Sequence, residues 1–244
     1  MNIDCCFTYQ YFSDLKQQNN RLNDLTVVAI DILRATSCLT TALAHGALKI
    51  YATDSIGEAL AFHQQNPDSV LSGERNGNIL RGFDLGNSPK EFSAENVGGK
   101  ILISCTTNGT KAIQTAKRSK NLILGSILNA SAVAEAVLAI DEPTLFLCAG
   151  TTGSVSLDDI LGAGLMIELL LQKKPEATLT DAAAIAHKTY QIYQDNLLEG
   201  LQQSAHGRKL TKMKRGNDLI LCSQKDLYDT VPVYDKESGF IIKK

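Results

Sequence analysis

The chain has 244 residues, with 24 basic and 26 acidic side chains and a net charge of −2 at pH 7. A chain of this length buries enough surface to fold without disulfides or a structural metal. The small net charge excludes a global basic field that would hold a nucleic acid. A hydrophobic content of 44% and a charged content of 20% are typical of a globular protein and argue against disorder.

The N-terminal segment and the apolar stretches exclude two further classes. Residues 1–10 have no Lys or Arg and no long apolar core, so they do not read as a signal peptide. The most apolar stretch, residues 163–171, is interrupted by Glu168, whereas a membrane span needs about 20 residues. The six cysteines form no C-x-x-C pair and are expected to be small buried residues. We therefore expect a cytoplasmic protein that binds neither membranes nor nucleic acid.

Short apolar segments predict the strands. Their Val, Ile and Leu residues are mostly continuous rather than alternating, which is typical of parallel strands that are buried on both faces. The predicted strands are residues 3–8, 26–30, 48–52, 70–72, 101–105, 122–125 and 144–148, followed by two short strands at 231–234 and 240–242.

Helical spacing, capping residues and terminal glycines predict the helices between these strands. They span residues 34–45, 55–65, 108–117, 129–139, 156–172 and 216–222, with one long helix or two abutting helices over 181–204. Alternation of this kind predicts an α/β fold, a three-layer α/β/α arrangement with a largely parallel sheet. We expect one domain over residues 1–244, whose region 180–244 is helical with short strands and packs on the same core.

Polar residues follow several of the predicted strands, and ligands of open α/β sheets bind beyond the carboxyl ends of the strands. Asp31 and Arg34 come directly after the second strand. Asp31 could bind Mg²⁺ or attack phosphorus, and Arg34 could hold a phosphate or carboxylate through two hydrogen bonds. In the alternative interpretation, Asp31 caps the following helix and pairs with Arg34.

The segment 106–110, Thr-Thr-Asn-Gly-Thr, joins the fifth strand to a helix. A polar turn at a helix start presents unpaired N–H groups and hydroxyls to an anion. An ordinary tight turn with a Thr or Asn N-cap is the alternative.

Two glycine-containing loops carry further candidates. The segment 73–87 has little periodicity and contains Glu74, Arg75 and Arg81, which favours a functional loop. Asp159 ends a Ser-Leu-Asp-Asp pattern that predicts a capping box, with a metal-ligand role as the alternative.

The segment 206–215 has five basic residues and no acidic one. It is expected to be a solvated surface, or else to steer or cover a polyanionic substrate. His45, His63, His187 and His206 lack metal-ligand spacing and are expected to be structural or exposed.

Taken in chain order, these segments resemble the 2-phosphosulfolactate phosphatase family. The resemblance lies in residues 27–36, 73–75, 82–89, 106–110 and 148–151, together with 156–159, 216–218 and 231–232. Asp158 departs from the Glu that the family pattern leads us to expect, although the charge is kept. The run 208–215 has no clear counterpart.

The resemblance implies Mg²⁺-dependent hydrolysis of 2-phospho-3-sulfolactate to 3-sulfolactate and phosphate. In the family this is a step toward coenzyme M, and the pathway that uses the product of this chain remains open. The resemblance also implies catalytic roles for Asp31 and Arg34, whereas Asp31 as nucleophile and Asp31 as metal ligand both remain open. We expect Asp31, Glu74 and Asp159 to bind the metal directly or through water, and we expect the substrate to contact Arg75, Asn87, Thr107, Asn108, Gly109 and Thr110.

Two other functions remain open at this stage: a phosphatase of another small phosphorylated 2-hydroxy acid, and a non-catalytic anion-binding protein. In each case the partner is a small anion. A homo-oligomer is compatible with these residues, which do not indicate how many copies assemble.

Overall fold

The computed structural model describes residues 1–10 and 21–244. Within them, eleven strands form one sheet in the order β5-β4-β6-β3-β11-β10-β7-β2-β8-β1-β9. The strands are β1 (Asn2–Cys6), β2 (Thr26–Ile30), β3 (Lys49–Ala52), β4 (Val70–Arg75), β5 (Asn78–Ile79), β6 (Ile101–Cys105), β7 (Asn121–Gly125), β8 (Thr144–Cys148), β9 (Thr178–Leu179), β10 (Pro232–Tyr234) and β11 (Ile241–Lys243).

Ten α-helices surround this sheet in the described part of the chain. They are α1 (Ala35–Ala44), α2 (Ile56–Gln65), α3 (Ala94–Val97), α4 (Gly109–Ala116), α5 (Ala130–Ile140), α6 (Leu157–Lys173), α7 (Asp181–Tyr193), α8 (Leu197–Gln203), α9 (Ala205–Lys212) and α10 (Gly216–Cys222). The α/β prediction is therefore confirmed, and the helical pattern over 181–204 corresponds to the two helices α7 and α8.

Three predictions about local structure were wrong or incomplete. The loop predicted from residue 73 is shorter, because β4 extends to Arg75 and pairs antiparallel with β5. The basic run, for which no helix was predicted, forms the helix α9. Its buried residues are Gly207 and Leu210, which give too short an apolar pattern to predict a helix. Ser156 Oγ accepts no main-chain N–H at the start of α6, and its hydroxyl donates instead to Asp158 Oδ1 over 2.8 Å.

The sheet contains two groups of parallel strands. The first group is β4, β6 and β3, and the second is β7, β2, β8, β1 and β9. The hairpin of β10 and β11 joins them and pairs antiparallel with a strand of each group. The two groups therefore run in opposite directions along the sheet, which the sequence did not indicate.

The carboxyl ends of the two groups nevertheless meet. Five strand steps separate β6 from β2, which would amount to roughly 24 Å in a flat sheet at the usual strand spacing. A Cβ atom at Gly109, in the turn after β6, would lie 2.7 Å from Asp31 Oδ2, directly after β2. The sheet must therefore bend strongly at the hairpin.

Three apolar cores explain the layers. One core lies between the two groups and includes Val27 and Leu102 together with residues of α1 and α4. The second group has its outer core against α5–α10, and the first group has its own against α2. Each group thus has helices on both faces, which confirms the three-layer α/β/α prediction. In the described residues, no helix is long and apolar enough to cross a membrane.

Candidate active site

Asp31 occupies the point where the two strand groups meet. Its Oδ1 accepts the N–H of Ala35 over 3.1 Å, and its main-chain oxygen accepts the N–H and the hydroxyl of Thr36. Among the described residues, Oδ2 accepts no hydrogen bond. Burial, followed by the charges of Asp158 and Glu74, raises the pKa of Asp31 to about 7. The carboxylate is therefore held in place at one oxygen and left unpaired at the other.

Gly109 makes this arrangement sterically feasible. A Cβ atom at Gly109 would lie 2.4 Å from the Cβ of Ala35 and 2.7 Å from Asp31 Oδ2, so any larger side chain would displace one of them. The close approach of the turn after β6 to the start of α1 thus requires glycine.

Arg34, at the N-terminal end of α1, is buried with a relative exposure of 2%. Its Nη1 donates to Asp218 Oδ2 over 2.6 Å, and Ser88 Oγ donates to the other oxygen of Asp218 over 2.6 Å. Its Nε is fully buried and has no acceptor in the described part of the chain. Asp218 therefore orients a guanidinium that still has donors for an anion.

Asp218 is a residue that the sequence reasoning missed as a site residue. Only its position in the Gly216–Asp218 segment, which matched the family pattern, pointed to it. Asn87 is buried and directly precedes Ser88, so the predicted substrate loop does reach this part of the site. Arg81 is exposed, and its side chain forms no hydrogen bond or ion pair among the described residues.

Asp159 connects the ends of β2 and β8. Its Oδ1 accepts the N–H of Ile32 and its Oδ2 accepts the N–H of Gly150, each over 2.9 Å. Burial, with the nearby charges of Asp158 and Asp31, raises the pKa of Asp159 well above its ordinary range. Both of its oxygens are engaged with the main chain, which weakens the predicted metal role.

Asp158 is buried beside Asp159, with a relative exposure of 1%. Its Oδ1 accepts the hydroxyl of Ser156, while its Oδ2 has no donor within residues 1–10 and 21–244. Asp158, which the sequence analysis did not select, therefore resembles Asp31 in having one unpaired carboxylate oxygen.

Glu74 differs because both of its oxygens are occupied. Oε1 accepts the N–H and the hydroxyl of Thr107, over 2.9 and 2.7 Å, and Oε2 accepts the N–H of Gly77 over 2.7 Å. Burial raises the pKa of Glu74, but these three hydrogen bonds outweigh it and hold the pKa below its usual value. Glu74 thus joins the ends of β4 and β6.

The neighbouring Arg75 is held by main-chain oxygens. Its Nη1 donates to the oxygens of Glu74 and Cys105, and its Nη2 donates to the oxygen of Asp54. These bonds leave few of the Arg75 donors for an anion. The predicted contact of Arg75 with the substrate phosphate stays a prediction.

The polar turn after β6 offers fewer donors than the sequence suggested. Thr107 donates its N–H and hydroxyl to Glu74, and Thr110 donates its N–H and hydroxyl to Thr106. Within the described residues, the N–H groups of Asn108 and Gly109 have no protein acceptor. Two adjacent amides therefore remain for an anion, beside Asp31. Asn108 Oδ1 accepts the N–H of Thr152 over 3.2 Å, which ties this turn to the loop after β8.

His206 is partly buried, and it lies within the electrostatic range of this region. Burial lowers its pKa, and Asp158, Arg34 and Glu74 are among the charges that act on it. The signal was weak in the sequence because His206 stands in a basic run, far from the other site residues.

The described residues include no group of three or more His, Cys, Asp or Glu side chains that could by itself hold a metal ion. Asp31, Glu74 and Asp159 therefore do not form a ready-made cage. Mg²⁺ usually takes only one or two carboxylates and completes its shell with water and substrate phosphate oxygens. The unpaired oxygens of Asp31 and Asp158 fit such a site.

Comparison with known proteins defines the family. The sequence pattern of the family described as 2-phosphosulpholactate phosphatase matches residues 11–237. A protein of Carboxydothermus hydrogenoformans named "Probable 2-phosphosulfolactate phosphatase" is 38% identical over 243 residues, which cover 99% of this chain and 97% of that protein. Identically named proteins of Caldanaerobacter subterraneus and Clostridium acetobutylicum are 36% and 35% identical, over 92% and 91% of this chain and 93% of each relative.

The fold, the anion donors beside unpaired carboxylates and these matches first define a class, the enzymes that hydrolyse phosphoric monoesters. Within that class, the chain belongs to the 2-phosphosulfolactate phosphatase family.

Proposed function

We propose that the protein hydrolyses 2-phospho-3-sulfolactate to 3-sulfolactate and phosphate with the help of Mg²⁺. Two observations together carry this proposal. The buried Arg34 has an Nε without an acceptor, and Asp31 has an Oδ2 that accepts no hydrogen bond. A phosphate monoester dianion complements the first group, and a divalent cation complements the second. The names of the relatives supply the substrate.

The phosphoryl group would be bound by chain donors from both strand groups. Arg34 approaches from the end of β2, and the N–H groups of Asn108 and Gly109 approach from the end of β6. Asp218 fixes the guanidinium before substrate arrives, so little side-chain entropy is lost on binding. Donors that are already fixed where charge develops contribute more than flexible ones.

Asp31 and Asp158 would hold the Mg²⁺ ion through their unpaired oxygens, beside Asp159, which keeps the ends of β2 and β8 together. When bound, the ion would neutralise charge on the phosphoryl oxygens as the P–O bond breaks. Its positive charge would also offset the burial of Asp31 and the repulsion from the neighbouring carboxylates, which together raise the pKa of Asp31 in the protein alone.

The test is phosphate release from synthetic 2-phosphosulfolactate, measured with Mg²⁺ and again after EDTA. We expect hydrolysis that EDTA abolishes and added Mg²⁺ restores. Parallel assays with 2-phospholactate and phosphoglycolate test the substrate, and a large preference for either of them would replace the proposed substrate by another small phosphorylated 2-hydroxy acid. Asp31→Asn and Arg34→Ala are the controls, because activity that survives both changes belongs to a contaminant.

A further inference from the structure

The helix α9 crosses the site from one strand group to the other. Leu210 anchors it in the outer core of the second group, and it packs against α6, which carries Asp158. Just after α9, Met213 lies against the hairpin of β4 and β5, where a Cβ atom at Gly77 would be 2.9 Å from Met213 Cε. The C-terminal half of α9 is thus fixed at Leu210 and at Met213, which contact opposite strand groups.

His206 lies on the side of α9 that faces the site. It stands one helical turn before Leu210 and two turns before Met213, so the three side chains share one stripe. The charges that act on His206 come from three other elements: Asp158 of α6, Arg34 at the start of α1 and Glu74 of β4. The mostly buried imidazole makes no hydrogen bond to any residue that the structure describes.

Lys209 adds a cation next to His206. Lys209 belongs to the same helix as His206, and its charge acts on the imidazole. The Lys209 side chain is exposed and forms no ion pair among the described residues. The imidazole of His206 offers at least one N–H donor, because the neutral ring carries one and the protonated ring carries two. The pair therefore combines one hydrogen-bond donor with one positive charge.

The substrate of the proposed function has more negative charge than Arg34 alone can match. Its phosphate, carboxylate and sulfonate sit on three adjacent carbons, and the sulfonate stays ionised at every physiological pH. Arg34 is committed to the phosphoryl group, and Arg75 donates to main-chain oxygens. A second strong anion needs a donor and a cation that are still unpaired, and α9 supplies both.

We propose that His206 and Lys209 form the subsite that binds the sulfonate of the substrate and so determines its preference for a sulfonated ester. This inference rests on the proposed function, and it gives the basic run 206–215 a role that the sequence left open. It predicts that α9 contributes mainly to substrate binding and not to the breaking of the P–O bond.

The experiment compares 2-phosphosulfolactate with 2-phospholactate, which lacks only the sulfonate. We expect His206→Ala and Lys209→Ala each to lower the kcat/KM ratio of the two substrates by about tenfold, as for loss of a hydrogen bond to a charged group. The loss should appear in KM for the sulfonated ester, with kcat for 2-phospholactate nearly unchanged. Arg208→Ala is the matched control, because it removes a positive charge from an exposed position on the side of α9 opposite His206 and should leave the ratio within twofold.

Three results separate this inference from the proposed function. Equal losses on both esters, or an unchanged ratio in both variants, would overturn the inference while the phosphatase activity stands. A ratio that falls in Arg81→Ala but not in the α9 variants would place the sulfonate at the 73–87 loop instead. No hydrolysis of either ester by the unmodified protein would overturn the proposed function and this inference together. Melting temperatures of all variants would verify that each is folded.

Discussion

The two ends that meet in the site use similar residues in opposite ways. At the end of β4 and β6, Glu74 accepts three hydrogen bonds and Arg75 donates to three main-chain oxygens. At the end of β2, Asp31 keeps one oxygen unpaired and Arg34 keeps a buried Nε without an acceptor. A satisfied polar network stabilises the fold, whereas an unsatisfied one is costly to keep and marks where a ligand would bind.

This difference separates residues that sequence reasoning treated alike. Acidic and basic side chains follow strands of both groups, and a metal-ligand role was assigned to Glu74 and Asp31 alike. Only the number of donors and acceptors left over distinguishes the scaffold from the reactive part of the site. The following predictions test that distinction, from the largest expected effect to the smallest.

Replacing Asp31 by Asn should have the largest effect on activity. The change removes the unpaired charge that faces the cation and the phosphoryl group, so kcat should fall by about 10³-fold. The fold should survive, because the shape is kept and a buried charge is lost. Steady-state kinetics and a melting curve check both points, and a loss below tenfold would show that Asp31 belongs to the scaffold.

Replacing Arg34 by Lys should lower kcat/KM by about 10²-fold, since an ammonium cannot reproduce the planar fork of the guanidinium. Asp218→Asn should give a smaller loss of kcat/KM, because Arg34 is then no longer held in place by an ion pair but keeps its own positive charge. Kinetics on 2-phosphosulfolactate measures both. A larger loss in Asp218→Asn than in Arg34→Lys would contradict the assignment of Asp218 as a positioning residue.

The stability of the metal-free protein should depend on pH in an unusual direction. Because the pKa of Asp31 is raised from 3.8 to about 7, the folded chain binds more protons than the unfolded chain between these values. The contribution of Asp31 to stability is present below pH 4 and is lost as the pH rises through 7. It amounts to at most roughly 4 kcal/mol, or several degrees in Tm.

Melting curves at pH 5 and pH 8, in EDTA and in Mg²⁺, measure this effect. Mg²⁺ should raise Tm more at pH 8 than at pH 5, and Asp31→Asn should reduce the difference between the two pH values. Equal effects of Mg²⁺ at both pH values would argue against a cation beside Asp31.

Replacing Glu74 by Gln should mainly affect stability. Its depressed pKa means that the ionised form stabilises the fold above pH 4.5 and that this contribution disappears as the pH falls through the folded-state pKa. At pH 7 we expect a loss of about 1–3 kcal/mol in the free energy of unfolding. Urea unfolding at pH 7 and pH 4 checks the sign, and activity at saturating Mg²⁺ should fall by less than about tenfold.

Local sequence patterns predicted the individual elements well. The strands at 26–30, 101–105 and 144–148 and the helix at 216–222 have the predicted bounds, because each carries its own apolar run or capping signal. The position of the last hairpin in the middle of the sheet could not be predicted, since strand pairing depends on partners far away along the chain. The opposite directions of the two groups follow from that hairpin.

The candidate site was predictable in location but not in the roles of its residues. Asp31 and Arg34 follow a clear strand, so their place was evident. The partner of Arg34, Asp218, lies 184 positions further along the chain, and no local pattern connects them. The engagement of Glu74, Thr107 and Thr110 with neighbouring groups also depends on three-dimensional contacts that spacing does not reveal.

The central hairpin has a consequence for how the protein folds during its synthesis. The strands β3 and β7 lie on either side of β10 and β11, yet residues 232–243 are synthesised after every other strand. Until these residues are synthesised, β3 and β7 each form an unpaired strand edge. Unpaired edges of this kind promote aggregation. Ribosome-bound chains that stop before residue 232 should therefore depend on chaperones that shield exposed strand edges.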